Sequence, residues 1–238
     1  MATESSHNHQ QLLKQPSPYP DLRFAGRELA VALDPYRDED PIVLGIAAGG
    51  VPVAHEVAKH LQAPFDLVLI RRLLAPEGPG SQLCAFNVAG SMTHDEGIVA
   101  SSTPSSPIEY FLADALAEFE LRVQICRRSR PPLLLNDRTV LLVDCGIRTG
   151  LTMKAAIGAL RKLKPKSIIG AVPVTSSEGS AVVTHLLDEM VCLMRPDVFG
   201  NAGVWFRDFS RPDDEKVGEL VETYPQITQI TQIKSLDS

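Results

Sequence analysis

The segment 140–152 holds the residues whose types and spacing are best suited to chemistry. An apolar run ends at Asp144, and the residues that follow are rich in glycine and threonine before a helical pattern begins. Backbone N–H groups of such a loop and of the next helix's first turn lack partners and can bind phosphate oxygens. Thr149 and Thr152 add hydroxyl donors, whereas the Asp144 carboxylate repels phosphate and suits a sugar hydroxyl or a metal-linked ligand. This combination predicts a site for a phosphorylated sugar.

Two further groups follow predicted strands. The Gly49-Gly50 pair follows one apolar run, and Arg71-Arg72 follow the next. Glycines let the backbone approach an oxyanion, and two guanidinium groups suit pyrophosphate because each can form paired hydrogen bonds with it. The alternatives are a tight strand-to-helix turn for the glycines and a solvated pair for the arginines. If these groups are functional, they should converge at the carboxyl ends of the strands.

The elements that must position these residues alternate between short apolar runs and amphipathic helices. The predicted strands are 41–46, 65–70, 140–143, 167–174 and 189–193, and the predicted helices are 21–33, 51–58, 106–128, 152–163 and 177–187. Alternation of this kind is typical of an α/β fold in which a parallel sheet is flanked by helices.

The domain organisation follows from the same pattern. We predict one domain over 21–222, with an inserted loop and helix at 72–130 that holds short strands near 84–88 and 97–100. The polar, proline-dotted residues 1–20 are predicted to be disordered, and residues 223–238 to be loose.

Composition narrows the function classes. The chain has 238 residues, a net charge of −6 and 44% hydrophobic residues, so it can form a sizeable core and is not expected to bind nucleic acid. No apolar run is long enough to cross a membrane, and no targeting pattern opens the chain, so we expect a cytoplasmic protein without a membrane partner. The cysteines lack the spacing of a zinc site or a disulfide framework: Cys84, Cys126, Cys145 and Cys192. Cys145 stands apart, since a thiol beside a helix N-terminus can have a lowered pKa.

The segment 140–152 resembles the 5-phosphoribosyl-1-pyrophosphate (PRPP) loop of type I phosphoribosyltransferases. That loop has a strand, two adjacent acids, a short spacer and Thr-Gly-x-Thr. Asp144 matches the first acid, Cys145 stands in place of the second, and Arg148 stands where a small residue is usual. The resemblance extends over about 21–220 to a branch of predicted phosphoribosyltransferases. Its other motifs are Ala25-Gly26-Arg27, Gly49-Gly50-Val51-Pro52-Val53-Ala54, Arg71-Arg72-Leu73, Trp205-Phe206-Arg207-Asp208-Phe209 and Asp213-Asp214-Glu215-Lys216-Val217.

The resemblance implies a role for each group of residues. The 5-phosphate would be bound by Gly146, Ile147, Arg148, Thr149, Gly150 and Thr152, and the pyrophosphate by Ala48, Gly49 and Gly50. Asp144, Arg71 and Arg72 would be the catalytic residues, and Trp205 and Asp208 would contact a base. Trp205 could equally be a core or rim aromatic, and Asp208 could cap a turn. Mg²⁺ would be bound mainly through PRPP, and no dedicated protein metal site is expected.

Two function classes remain open. In the first, the protein is an enzyme that transfers 5-phosphoribose from PRPP to a nitrogen nucleophile and releases pyrophosphate. In the second, it is a sensor that binds a small phosphoribosyl ligand without turnover. The second is motivated by Cys145, by Ala48 at a position where the branch usually has arginine, and by Gln82 in place of an acid. A redox-sensitive Cys145 is a third reading, and a homo-oligomer is left open.

Overall fold

The computed structural model describes residues 18–74, 82–88, 90–94, 107–128, 130–131 and 133–224. The strands in these ranges are β1 (Ile42–Ile46), β2 (Phe65–Leu74), β3 (Gln82–Val88), β4 (Ser91–His94), β5 (Thr139–Val143), β6 (Ser167–Val174) and β7 (Glu189–Met194). They form one sheet in the order β4-β3-β2-β1-β5-β6-β7. The five strands from β2 to β7 in that order are parallel to one another, as the alternating pattern predicts.

Helices cover both faces of this sheet. They are α1 (Leu22–Ala32), α2 (Gly50–Leu61), α3 (Pro107–Arg127), α4 (Leu151–Lys162), α5 (Ser177–Val183) and α6 (Asp214–Thr223). Short 3₁₀ turns lie at Asp34–Glu39, Thr184–Leu186 and Ala202–Trp205. The predicted helix at 177–187 is therefore a two-part element, α5 followed by a 3₁₀ turn. In the described part of the chain, no helix is long and apolar enough to cross a membrane.

The central strands are buried on both sides because the core has two halves. Every residue of β1 and of β5 is buried. Successive side chains of a strand point to opposite faces. Val43 therefore packs with α1, α2 and α6, whereas Ile42 and Leu44 pack with α4 and α5. This two-sided burial explains why the strands appear in the sequence as continuous apolar runs rather than as alternating patterns.

The inserted segment adds antiparallel strands to the edge of the predicted parallel sheet. β2 continues to Leu74 and pairs antiparallel with β3, which pairs antiparallel with β4. The strand predicted near 84–88 is present as β3, and β4 was not predicted. Gly90 lies between them with φ +94°, a left-handed conformation that glycine adopts readily. The strand predicted near 97–100 lies outside the described residues.

The insertion's helix is attached to the sheet by a buried ion pair. Arg127, at the end of α3, donates to the carboxylate of Asp66 in β2, and the exposed fractions of the two side chains are 5% and 0%. Asp66 also accepts a hydrogen bond from the backbone N–H of Leu67 at 2.7 Å. Charged pairs are rarely so deeply buried. Each charge has lost its solvation by water and depends on the other to compensate for that loss.

Both predicted domain boundaries fall within described structure. The N–H of Tyr19 donates to the carbonyl of Trp205 at 2.8 Å, and the N–H of Arg207 donates to the carbonyl of Tyr19 at 2.8 Å. At the other end Tyr224 is buried, and its hydroxyl donates to the carbonyl of Ala63 at 2.8 Å. The rest of the two predicted tails, 1–17 and 225–238, lies outside the described residues.

Candidate functional site

A cavity of about 400 Å³ opens at the carboxyl ends of β1 and β5. Two strand-to-helix loops and the segment before α6 form its walls. The lining residues are Ile46–Gly49, Asp144–Met153, Asn201–Gly203, Phe209 and Arg211. Parallel α/β sheets bind ligands at this edge, and the two loops that the sequence singled out converge there.

The loop from β5 to α4 forms one wall of the cavity and has the features of an anion-binding site. Gly150 precedes α4 with φ +75°, and a methyl group built on it would lie 2.8 Å from the carbonyl oxygen of Gly179. Gly150 provides no side-chain cap, so the first-turn N–H groups of α4 have no capping acceptor. The positive end of the helix dipole adds to their affinity for phosphate. Thr149 and Thr152 are partly buried and line the same wall.

This loop is held in place from the neighbouring strand. The N–H of Ile147 donates to the carbonyl of Val174 at 3.0 Å, and the N–H of Ser176 donates to the carbonyl of Ile147 at 2.8 Å. The hydroxyl of Ser176 donates to the carbonyl of Arg148 and accepts from the N–H of Gly179 at 2.8 Å. The loop from β5 to α4 is therefore preorganised by contacts between protein groups.

Asp144 lines the cavity, and its carboxyl group has a perturbed pKa. Its Oδ1 accepts a hydrogen bond from the backbone N–H of Cys145 at 2.7 Å. Burial raises the pKa of Asp144 to about 6, and this hydrogen bond and the positive charge of Arg211 oppose the rise. Among the described residues that line the cavity, it is the only carboxylate. A carboxylate in such a position can accept hydrogen bonds from the hydroxyls of a bound sugar.

Cys145 is buried rather than poised for reaction. Only 4% of its surface is exposed, and burial together with the neighbouring Asp144 raises the pKa of its thiol well above the ordinary value. The expectation of a lowered pKa is therefore wrong, because desolvation and a like charge outweigh the helix N-terminus. A thiol of this kind is mostly protonated at neutral pH, which removes the basis of the redox reading.

The loop after β1 forms the opposite wall. The peptide bond between Ala47 and Ala48 is cis, and α2 begins at Gly50. A methyl group built on Gly49 would lie 2.7 Å from Sγ of Cys145, and one on Gly50 would lie 2.7 Å from the carbonyl oxygen of Val143. Gly49 is therefore required by its close approach to Cys145, and Gly50 by its close approach to the end of β5. From the sequence alone, the two glycines could be assigned only to a turn or to an oxyanion site.

Arg71 and Arg72 do not end a strand, as the sequence predicted, but lie inside β2. They pair with Ala85 and Cys84 of β3. The guanidinium of Arg71 donates to Glu118 of α3 at 2.8 Å, and Arg71 is not among the lining residues of the cavity. The side chain of Arg72 lies outside the described part of the structure.

Trp205 and Asp208 do not line the cavity either. Trp205 is 2% exposed, belongs to the hydrophobic core and donates from its indole N–H to the carbonyl of Phe199 at 2.9 Å. The Oδ1 of Asp208 accepts from the N–H of Ser210 at 2.9 Å and from its hydroxyl at 2.5 Å. These contacts match the alternatives left open for the two residues, a core aromatic and a turn cap.

Sequence reasoning missed one charged residue of the site. Arg211 lines the cavity, and its guanidinium lies over the ring of Phe209 at 4.7 Å from the centroid. It falls between the motifs 205–209 and 213–217, where no pattern drew attention to it. Asn201, Ala202 and Gly203, which precede these motifs, were missed for the same reason. The signal that could have found Arg211 is its place in a chain segment bounded by two recognisable motifs.

The fold and the site together define an α/β protein of the type I phosphoribosyltransferase fold. The family model of the phosphoribosyl transferase domain matches residues 19–204. The chain belongs to the phosphoribosyl transferase domain family. The family membership expected from the sequence resemblance is therefore confirmed.

Individual relatives support this membership. Two curated proteins from strains of Mycobacterium tuberculosis, provisionally named phosphoribosyl transferases MT0597 and Rv0571c, are each 34% identical over 200 residues and match 84% of this chain. The match covers 45% of each relative, so the chain spans less than half their length. The crystal structure of TT1426 from Thermus thermophilus is 33% identical, with a TM-score of 0.69, over 86% of this chain and 97% of that protein.

Proposed function

We propose that this protein binds PRPP and transfers its 5-phosphoribosyl group to a nitrogen nucleophile with release of pyrophosphate. One observation carries the proposal. One cavity is lined by an uncapped helix N-terminus, by the carboxyl group of Asp144, which suits sugar hydroxyls, and by the glycine-containing loop after β1. PRPP carries a phosphate, a sugar with free hydroxyls and a pyrophosphate in a matching chemical order.

Each part of PRPP has a candidate partner. The 5-phosphate would accept hydrogen bonds from the loop 146–150 and from Thr152, with Arg148 adding positive charge. The ribose hydroxyls would donate to the carboxylate of Asp144, and the pyrophosphate would lie against Ala48–Gly50. The loop Ala48–Gly50 has no charged side chain. Its backbone N–H groups, together with cations from outside the loop, would therefore stabilise the pyrophosphate.

In this reaction the bond between C1 of the ribose and the pyrophosphate oxygen breaks, and a bond from C1 to nitrogen forms. The electron pair of the broken bond leaves with pyrophosphate, and the nucleophile releases a proton. Groups that stabilise negative charge on the leaving pyrophosphate would supply most of the rate enhancement. Shielding from water matters because an electron-poor C1 is otherwise captured by hydrolysis.

Mg²⁺ would be bound at this site mainly through the ligand. Among the described residues, no group of three or more His, Cys, Asp or Glu side chains could hold a metal ion. Asp144 offers one carboxylate, and Mg²⁺ readily combines one or two carboxylates with substrate phosphates and water. When bound through PRPP, it would neutralise charge on the pyrophosphate.

A ligand-binding protein without turnover is the second candidate function. Cys145, where the resemblance calls for a second acid, is buried and keeps its thiol protonated, so it cannot replace a carboxylate toward ribose. Loss of one charged hydrogen bond costs about 1.5–3 kcal/mol. Phosphate affinity could survive that loss while turnover falls. Gain of PRPP binding or turnover in Cys145→Asp would support this function, and no change would argue against it.

Isothermal calorimetry tests the leading proposal. PRPP and ribose 5-phosphate would each be titrated into the full chain with and without Mg²⁺. Tighter, magnesium-dependent binding of PRPP is the expected result, because only PRPP carries the pyrophosphate. Binding of ribose 5-phosphate alone, or of neither compound, would contradict the transferase and favour the second candidate or a scaffold.

A further inference from the structure

Positive charge reaches the cavity from two places. Among the described residues that line it, Arg148 and Arg211 carry the cationic side chains. Arg148 belongs to the phosphate loop, whereas Arg211 comes from the segment between the 3₁₀ turn at Ala202–Trp205 and α6. The two arginines thus enter from different elements, and a ligand with two separated anionic groups could engage both.

The position of Arg211 is adjacent to the loop after β1. A methyl group built on Gly49 would lie 3.4 Å from Nε of Arg211. The same methyl group would lie 2.7 Å from Sγ of Cys145, so Arg211 reaches the place where this loop comes closest to the phosphate-binding loop. A guanidinium there can form paired hydrogen bonds with a phosphate group lying on the glycine backbone.

Aromatic packing fixes the direction of this side chain. The guanidinium lies over Phe209, whose ring stacks on Phe206 with centroids 5.1 Å apart. Phe206 is buried and contacts Tyr19 at 5.7 Å between ring centroids. A cation held over an aromatic face loses less freedom when it binds an anion than one on an unsupported side chain does.

The guanidinium also retains its binding capacity. Among the described residues, Arg211 forms no ion pair and donates no hydrogen bond, although its charge acts on Asp144 and Cys145. The loop Ala47–Gly50 carries no charged side chain of its own. An available cation therefore lies beside a loop that lacks one.

We infer that Arg211 is the side chain that binds the pyrophosphate group of the ligand, completing the uncharged loop at Ala48–Gly50 from another part of the chain. This assignment rests on the proposed function, since it names the partner of one part of PRPP. It makes Arg211 a residue that discriminates PRPP from ribose 5-phosphate.

The test compares Arg211→Ala with Arg207→Ala in the full chain. Arg207 is an exposed arginine in the same segment and does not line the cavity. Calorimetry with PRPP and Mg²⁺ should show roughly 10- to 100-fold weaker binding for Arg211→Ala, as expected for loss of charged hydrogen bonds. Ribose 5-phosphate affinity should stay unchanged, and Arg207→Ala should match the wild type for both ligands.

A conservative variant separates a direct role from a structural one. Arg211→Lys keeps the charge but loses the paired donors, so its PRPP affinity should fall between those of the wild type and Arg211→Ala. Thermal unfolding of Arg207→Ala should match the wild type, and the Arg211 variants should differ from it only slightly, because both arginines are exposed. Increasing salt should weaken PRPP binding more in the wild type than in Arg211→Ala.

The outcomes are distinguishable. If the wild type prefers PRPP and Arg211→Ala keeps that preference, the role of Arg211 is wrong while the proposed function stands. Equal loss of both ligands in Arg211→Ala would also overturn the role, because it would indicate damage to the whole site. If the wild type binds neither PRPP nor inorganic pyrophosphate, the proposed function fails and the inference fails with it.

Discussion

At the scale of single residues, Asp144 links ligand binding to stability. Its folded-state pKa of about 6 lies above the ordinary value of 3.8 because burial disfavours the charged form. Between these two values the folded protein holds a proton that the unfolded chain has released. Stability must therefore decrease as the pH rises through this window. At neutral pH, the ionised Asp144 that would bind a ribose hydroxyl therefore lowers the free energy of unfolding.

Asp144→Asn is predicted to be more stable than the wild type at neutral pH. The amide keeps the acceptor for the N–H of Cys145 and does not ionise. The difference in unfolding free energy should be small below pH 3.8, increase up to about pH 6, and reach at most about 3 kcal/mol above it. Urea denaturation at several pH values measures it, and ligand affinity should fall in the same variant. A pH-independent difference would show that Asp144 titrates normally.

Cys145→Asp is predicted to be destabilised at pH 7. The thiol is 4% exposed and adjoins Asp144, so a new carboxyl at this position would be desolvated next to a like charge. Its pKa would be raised, and the loss of stability should shrink as the pH falls from 7 to 5. Cys145→Asn has the same shape without the charge and serves as the control. Equal stability of the two variants across this pH range would contradict the argument.

At the scale of elements, the connection from β5 to α4 depends on one backbone conformation. Gly150→Ala is predicted to lower the free energy of unfolding by about 1–3 kcal/mol, because its φ of +75° disfavours a side chain and the added methyl group would meet the Gly179 carbonyl. The phosphate loop should shift with it, so ribose 5-phosphate affinity should also fall. Thermal unfolding and calorimetry measure the two effects.

A matched substitution in the same helix serves as the control. Gly158→Ala adds the same methyl group in the interior of α4, where nothing lies within 4 Å of it. Alanine is favoured over glycine in a helix by about 0.5–1 kcal/mol, so this variant should be more stable than the wild type and bind normally. If both variants changed stability in the same direction, the conformation and surroundings of Gly150 would not explain the effect of its substitution.

At the scale of the whole molecule, the inserted segment depends on a charged contact in the core. Arg127→Ala is predicted to reduce the unfolding free energy by about 3–5 kcal/mol, because it leaves the carboxylate of Asp66 buried without its partner. Denaturant unfolding measures the loss. Hydrogen exchange should show that α3 and the adjoining part of β2 lose protection first.

The comparison is with Arg122→Ala, which removes another ion pair of α3. Arg122 and Asp214 are each about one-third exposed, at 31% and 34% of the side chain, with a separation of 2.9 Å. Pairs of this kind contribute about 0–1 kcal/mol. If Arg122→Ala lost as much unfolding free energy as Arg127→Ala, the difference in side-chain exposure would not explain what each ion pair contributes.

Sequence patterns predicted most of the fold because local signals and the global architecture agree. The buried parallel strands appear as apolar runs, and glycines mark the start of α2 and α4 after two of them. The loop 144–152 could be identified as part of the cavity wall, since its residue types need only be adjacent in the chain. In the insertion, the sequence did not predict β4 or the antiparallel continuation of β2. These depend on pairing between segments rather than on local composition.

What the sequence by itself determined is the alternation of elements, the loop between β5 and α4 and the glycines of the loop after β1. Each of these depends on neighbours along the chain, so residue types and their order are enough. Only the tertiary structure decided the environments: Trp205 in the core, Cys145 desolvated beside Asp144, Arg71 paired with Glu118, and Arg211 against Gly49. Burial, charge and distance are properties of packing between distant segments, and no local pattern records them.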